Sequence, residues 1–167
     1  LQHRGQESAV ITVSDGNEME TTRVMGLVTA VFKDGLPELK VNKAIGHVRY
    51  STAGASIPVN TQPLKVSYVG GNMALAHNGN LTNVCSLRKN LAQKGSVFHT
   101  TMDSEAIVNL IATSDKPTVE EKIKDRMGMV EGAFCLVLLT DDKLIAIRDR
   151  FGFHPLCIGK LHRGWFV

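Results

Sequence analysis

Hydrophobic and polar positions divide the chain into short segments with two different periods. Ala9 to Val13 reads as a strand, and Ser14-Asp15-Gly16-Asn17 carries the residues that reverse a chain. Met25 to Phe32 fits helix or strand and is read as a short helix that Asp34-Gly35 and Pro37 end. Ala44 to Tyr50 reads as a strand running into Ser51, Thr52, Ala53, Gly54, Ala55 and Ser56, small residues that let backbone approach something closely. Leu64, Val66 and Tyr68 alternate with polar neighbours, Gly70-Gly71 supplies a two-residue turn, and Met73 to His77 returns as the partner strand.

That hairpin is read as ending in a turn at His77-Asn78-Gly79-Asn80, after which Leu81, Val84, Leu87 and Leu91 recur at helical spacing until Gly95. A second helix spans Asp103 to Thr113, with Ile107, Leu110 and Ile111 on its apolar face and Asp103 placed as N-cap. Thr118 with Glu121 three residues later is a capping box that opens a third helix, turning Ile123 and Met127 inward. Ala133 to Thr140, the Asp141-Asp142 turn and Leu144 to Arg148 form another hairpin, and Leu156 to Gly159 begins a last meander. Strands joined by short turns and helices clustered mid-chain predict an α+β fold with antiparallel sheets.

Composition narrows the function classes. The 167 residues make one domain of ordinary size, 43% apolar and 21% charged, which is globular composition. The longest apolar run, Ala133 to Leu139, is far below the roughly 18 residues a bilayer span needs, so no membrane partner is expected. The net charge of +3 comes from basic residues scattered singly without interleaved aromatics, so no nucleic-acid partner is expected either. Cys85, Cys135 and Cys157 are unclustered and lie in apolar surroundings, which reads as three inert core thiols in a reducing, cytoplasmic compartment. On that reading the Asn80-Leu81-Thr82 sequon is idle, and no HExxH, GxGxxG or P-loop supports metal or cofactor chemistry. The sequence opens at Leu1 without an initiator Met and stops at Val167 inside an apolar stretch, which reads as a fragment cut at both ends.

Three short stretches carry candidate chemistry. A turn at Asn78-Gly79 can aim a side-chain amide and a backbone N–H at one point, as an oxyanion hole requires, although Asn-Gly is also an ordinary turn pair. In Gly46-His47-Val48-Arg49-Tyr50-Ser51-Thr52 a guanidinium stands beside two hydroxyls and suits a ligand carboxylate; a strand-end Arg can equally be solvated or paired with a surface acid. Asp103 in Asp103-Ser104-Glu105 can offer a carboxylate to an ammonium group or serve only as a cap.

Taken in order, Leu1 to Ala9, Gly46 to Gly54, Ala76-His77-Asn78-Gly79-Asn80-Leu81 and Asp103-Ser104-Glu105 resemble the glutaminase domain of class II glutamine amidotransferases over essentially the whole chain. The wording is closest to the members that serve a phosphoribosyl acceptor in purine synthesis. The resemblance implies an N-terminal nucleophile hydrolase fold, a four-layer α/β/β/α sandwich of two antiparallel sheets truncated at both ends. Residues 1–167 would be a partial type 2 glutamine amidotransferase domain with the phosphoribosyltransferase domain absent. It also implies roles: Arg49 for the α-carboxylate of glutamine, Asp103 for its α-ammonium, Asn78 and Gly79 for the oxyanion, Tyr50 and Thr52 for lining or closing the pocket, and Arg4 as support.

The family's nucleophile is an N-terminal cysteine that uses its own α-amine as base, upstream of the Leu-Gln-His-Arg-Gly motif. The chain as given is therefore expected to be inactive and weakened by an unpaired strand edge. In Phe151-Gly152-Phe153-His154-Pro155-Leu156 the family usually has Arg where His154 stands, which removes whatever that Arg contacts. Expected partners are glutamine, a C-terminal phosphoribosyltransferase domain and, at full length, further copies in a homo-oligomer. No cofactor is expected in this domain; Mg2+ belongs to the phosphoribosyltransferase domain, and some members carry an iron-sulfur cluster. Two alternatives share these residues: a catalytically dead glutamine-binding regulatory module, and the glutaminase domain of a class II enzyme with another acceptor.

Overall fold

A computed structural model describes residues 3, 5, 7–33, 41–49 and 57–167. Strand β1 (Ser8–Ser14) pairs antiparallel with β2 (Met19–Met25) on one side and β3 (Lys43–Arg49) on the other, giving a three-stranded sheet. Between β2 and β3 lies a single helical turn, α1 (Val28–Val31). A four-stranded antiparallel sheet follows, in the order β4 (Leu64–Tyr68), β5 (Gly71–Leu81), β6 (Gly132–Thr140) and β7 (Leu144–Arg148). Helices α2 (Val84–Gln93), α3 (Asp103–Ala112) and α4 (Val119–Met127) connect β5 to β6, and a small exposed hairpin, β8 (Gly159–Leu161) with β9 (Gly164–Phe166), ends the chain.

Strand alternation explains the layers. On β5, Met73, Leu75 and Leu81 turn to one face and join Leu136, Leu138 and Phe134 of β6 in a core closed by Leu87 and Leu91 of α2 and Ile107 and Ile111 of α3. Ala74 and Ala76 turn to the other face and meet Met19 and Ile45 of the three-stranded sheet, with Leu139 between them. Met73, Leu75, Ile107, Ile111, Leu136 and Leu138 are all fully buried; each such side chain contributes roughly 1.5–3 kcal/mol over an exposed one, so this layer fixes the position of β5. The order is helices, sheet, sheet, and among the described residues the one α-helical segment outside the α2–α4 layer is the turn α1.

Several expectations change in detail. Met25 closes β2 by pairing with Ser8, and Gly26, at φ +121°, separates it from α1, so the short helix is confined to Val28–Val31. The β4–β5 turn is Val69-Gly70, because Tyr68 already pairs with Gly71. His77-Asn78-Gly79-Asn80 is not a turn: β5 runs through it to Leu81 because Leu136 to Gly132 of β6 lie opposite and supply a partner strand. Asp103 is the first residue inside α3, and Met102 holds the cap position. Cys85 and Cys157 are exposed, and of the three thiols only Cys135 is buried. The capping box at Thr118 and Glu121 is present as expected.

Candidate active site

The site is built around the outer edge of β5. Strand β4 stops pairing at Leu75, so from His77 onward that edge has no strand neighbour among the described residues. The His77 N–H is capped by the Gln62 side chain (2.6 Å to Oε1), and four residues on, the Leu81 N–H is capped by Asp103 (3.3 Å to Oδ2). Strand geometry points the N–H of residue 79 off the same edge. The pairing partner of Gly79, Phe134, commits its own groups to β7's side: its N–H donates to Asp149 Oδ2 at 3.3 Å and its carbonyl accepts the Asp149 N–H at 2.9 Å. Gly79 and Phe134 are thus a pair without mutual hydrogen bonds, and no side chain among the described residues caps the Gly79 N–H as Gln62 and Asp103 cap its neighbours.

Gly79 holds φ +139°, a region that side chains with a Cβ avoid. The Asn78 side chain beside it is exposed and, by alternation, lies on the face turned to the three-stranded sheet. An amide donor and an uncapped backbone N–H therefore sit side by side at the end of β5, which is the donor pair a developing oxyanion needs.

Strand β3 borders this edge. Ile45, His47 and Arg49 share one face; Ile45 packs with Ala74 and Ala76, and His47 lies beside the His77 backbone. Arg49 is the next residue along this face and is only 4% exposed. Burial lowers the His47 pKa to about 4, against the raising effect of the His77 backbone and with help from the charges of His77 and Arg49. His47 is thus neutral at physiological pH, and its Nδ1 is buried without a partner. Gly5 closes the same corner: a methyl group there would lie 2.5 Å from the Arg49 carbonyl oxygen.

Asp103 approaches from the helix side. Its Oδ1 accepts from the Ser104 N–H at 3.0 Å and lies 3.2 Å from His77 Nδ1, while Oδ2 accepts from Leu81. Burial pushes its pKa up, but the His77 hydrogen bond and charge, with the Leu81 and Ser104 N–H groups, outweigh that and hold it below the ordinary carboxylate value. An ionised carboxylate at the end of β5 can meet an ammonium group.

Of the residues expected from sequence, the structure places Asn78, Gly79 and Asp103 at the end of β5, and Arg49 at the end of β3 in the facing sheet. Arg4, Tyr50 and Thr52 lie outside the described residues. Sequence reasoning missed His47, Gln62 and His77 as parts of the site. His77 had a signal: it follows Met73 and Leu75 at period two, a polar residue on the apolar face of a strand. Gln62 had none. Among the described residues no group of three His, Cys, Asp or Glu side chains is placed to hold a metal ion.

Cys135 faces Asn78 directly across the β5–β6 pair. Its thiol donates to the carbonyls of His154 and Pro155 at 3.6 Å, and burial raises its pKa, so it remains a protonated, inert thiol.

Comparison with known proteins bears on this geometry. The family model described as glutamine amidotransferase domain matches residues 47–167. Amidophosphoribosyltransferase 2, chloroplastic, of Arabidopsis thaliana is 45% identical over all of this chain and 30% of its own length. The amidophosphoribosyltransferase of Staphylococcus aureus (strain MRSA252) is 43% identical over all of this chain and 34% of its own. Among solved structures, the glutamine phosphoribosylpyrophosphate amidotransferase from B. subtilis complexed with ADP and GMP superposes with a TM-score of 0.89 at 39% identity, covering 98% of this chain and 36% of that one. A predicted glutamine amidotransferase from Pseudomonas aeruginosa PA01, at 17% identity and a TM-score of 0.52, shares the fold alone. The chain spans about a third of the length of the curated relatives it matches. The two stacked antiparallel sheets, the helix layer and these likenesses agree on the N-terminal nucleophile hydrolase fold, and the chain belongs to the glutamine amidotransferase domain family.

Proposed function

We propose that this chain is the glutaminase part of an amidophosphoribosyltransferase, releasing ammonia from glutamine for transfer to phosphoribosyl diphosphate on a phosphoribosyltransferase domain of the same protein. The observation that carries the reading is the edge of β5, where no side chain among the described residues caps the Gly79 N–H beside the exposed Asn78 amide. Arg49 grips the α-carboxylate of glutamine and Asp103 its α-ammonium, which lays the side-chain amide toward Asn78 and Gly79. A cysteine thiolate attacks the amide carbon. The oxyanion that forms accepts hydrogen bonds from Asn78 Nδ2 and the Gly79 N–H, the C–N bond breaks with protonation of the leaving nitrogen, and the resulting thioester is hydrolysed to glutamate and regenerated thiol.

In this reading the nucleophile is the N-terminal cysteine of the family, with its α-amine as base; Cys135 is kept out by its raised pKa and its carbonyl partners. Tyr50 and Thr52 line or close the pocket, and Arg4 supports the strand and turn near the nucleophile. Magnesium and any iron-sulfur cluster are assigned to other parts of the protein. No helix of the described residues is long and apolar enough to cross a membrane; three free cysteines, two of them exposed, fit a reducing, cytoplasmic-type compartment.

The test is glutamate release from glutamine by the complete protein, with and without phosphoribosyl diphosphate and Mg2+. The expected result is stoichiometric glutamate and phosphoribosylamine when both substrates are present. Glutamine binding without any glutamate release would instead favour the regulatory-module alternative, and glutamate release indifferent to phosphoribosyl diphosphate would favour another acceptor.

A further inference from the structure

His77 sits where the helix-facing core of β5 should be apolar: its strand neighbours on that face, Met73, Leu75 and Leu81, all belong to the core. Its side chain is 1% exposed, its Nδ1 lies 3.2 Å from Asp103 Oδ1, and its Nε2 is buried with no partner. A histidine retained only for packing would not leave a ring nitrogen orphaned, because a buried polar atom without a partner costs about 1–3 kcal/mol. The ring therefore has a use that an apolar residue of the same volume lacks, and the one polar contact it makes among the described residues is to Asp103.

That contact fixes the carboxylate. Asp103 has two oxygens with about four lone-pair positions between them. Ser104 N–H and His77 Nδ1 meet Oδ1, and Leu81 N–H meets Oδ2. Two of these three are backbone groups, one from α3 itself and one from β5. Among the described residues His77 is the only side chain that joins them. Without it the carboxylate could rotate about χ2 and leave the Leu81 N–H, since among the described residues no other group holds Oδ1 from the strand side. The side chain of Asp103 retains 18% exposure, enough to present the remaining lone pair to a ligand.

We propose that His77 is a positioning residue for glutamine recognition: with its proton on Nδ1 it locks the rotamer of Asp103 so that the free lone pair of the carboxylate meets the α-ammonium of the substrate. It acts on discrimination for an α-amine and takes no part in the bond changes at the side-chain amide. This rests on the glutaminase reading given above.

The test uses the complete protein and two substrates, glutamine and 4-carbamoylbutanoate, which is glutamine without its α-amine. His77→Ala is expected to lower kcat/KM for glutamine by about 10-fold or more, the size of one hydrogen bond to a charged group. The effect should appear in KM, with kcat nearly unchanged and the value for the desamino analogue unaltered. In the Asp103→Ala background the same substitution should add nothing, as a double-mutant cycle would show. His77→Asn, whose amide nitrogen reaches the Nδ1 position, should keep the preference, and His77→Gln, whose amide reaches the Nε2 position, should lose it. An equal loss on both substrates, additivity with Asp103→Ala, or identical behaviour of the Asn and Gln variants overturns the proposal, the last even if the Ala variant does not fold. Should Asp103→Ala itself leave the preference for glutamine intact, the assignment of Asp103 fails instead, and the two failures are distinguished.

Discussion

Gly79 presses against Ala133 on the neighbouring strand: a methyl group at Gly79 would lie 2.0 Å from the Ala133 carbonyl oxygen. The mirror contact occurs two residues along, where a methyl group at Gly132 would lie 2.2 Å from the Asn80 carbonyl oxygen. Both glycines have positive φ, +139° and +137°. The strands can approach this closely only because neither residue has a Cβ. Gly79→Ala and Gly132→Ala should each cost at least about 2 kcal/mol, from the disfavoured φ and displaced backbone together. Denaturant midpoints check this. Glutaminase turnover, measured under conditions where both variants are folded, should fall further for Gly79→Ala, because its N–H is the proposed oxyanion donor and Gly132 has no such part.

His47 makes stability depend on pH. Its folded pKa of about 4 lies below its ordinary value of 6.5. Between these values the unfolded chain binds a proton that the folded chain does not, so stability is complete above about pH 6.5 and is lost as pH falls toward 4. The loss is up to about 3 kcal/mol at the acid end, from a pKa difference of that size. Asp103, held below its ordinary value of 3.8, adds its own loss only at more acid pH, so the two windows separate. Denaturant titrations of wild type and His47→Gln at pH 7.5 and pH 5 test this. The wild type should lose midpoint on acidification and the variant should lose less; equal slopes contradict the assignment.

The strengths of the sequence reading follow from local determinants. The capping box at Thr118 and Glu121 is a contact between residues three apart, and the β6–β7 hairpin is a single apolar run with its turn attached, so both are legible from short windows. Residues 77–80 were misread as a turn because Asn-Gly is a turn pair locally, whereas the strand partner that keeps them extended, Gly132 to Leu136, lies more than fifty positions away. The chemistry of Asn78 and Gly79 survives this correction, since strand alternation, not turn curvature, brings the amide and the N–H together. Asp103 moved from cap to first helical residue for the same kind of reason: its carboxylate is engaged by Leu81 and His77 across the layer. Gln62 and His47 carry no sequence signal at all, because their roles are set by where β4 stops and where β3 crosses. The thiols Cys85 and Cys157 sit in apolar stretches yet are exposed, which residue type alone does not reveal.

Arg49 lies on the face of β3 that carries Ile45 and His47. If it grips the α-carboxylate, a group whose charge stays the same throughout the reaction, then Arg49→Ala removes binding shared equally by ground and transition states. Steady-state kinetics should show KM for glutamine raised about 10-fold or more, with kcat changed far less. A pure fall in kcat contradicts this role.

The uncapped end of β5 is proposed to stabilise the oxyanion. The most direct test of this is single-turnover glutamate release by the complete protein carrying Asn78→Ala. The Asn78 side chain is exposed, so the substitution leaves the core intact. Loss of one oxyanion donor predicts a fall of about 10² to 10³ in the chemical rate with glutamine affinity nearly unchanged. A rate equal to wild type, with folding and glutamine binding preserved, contradicts the account.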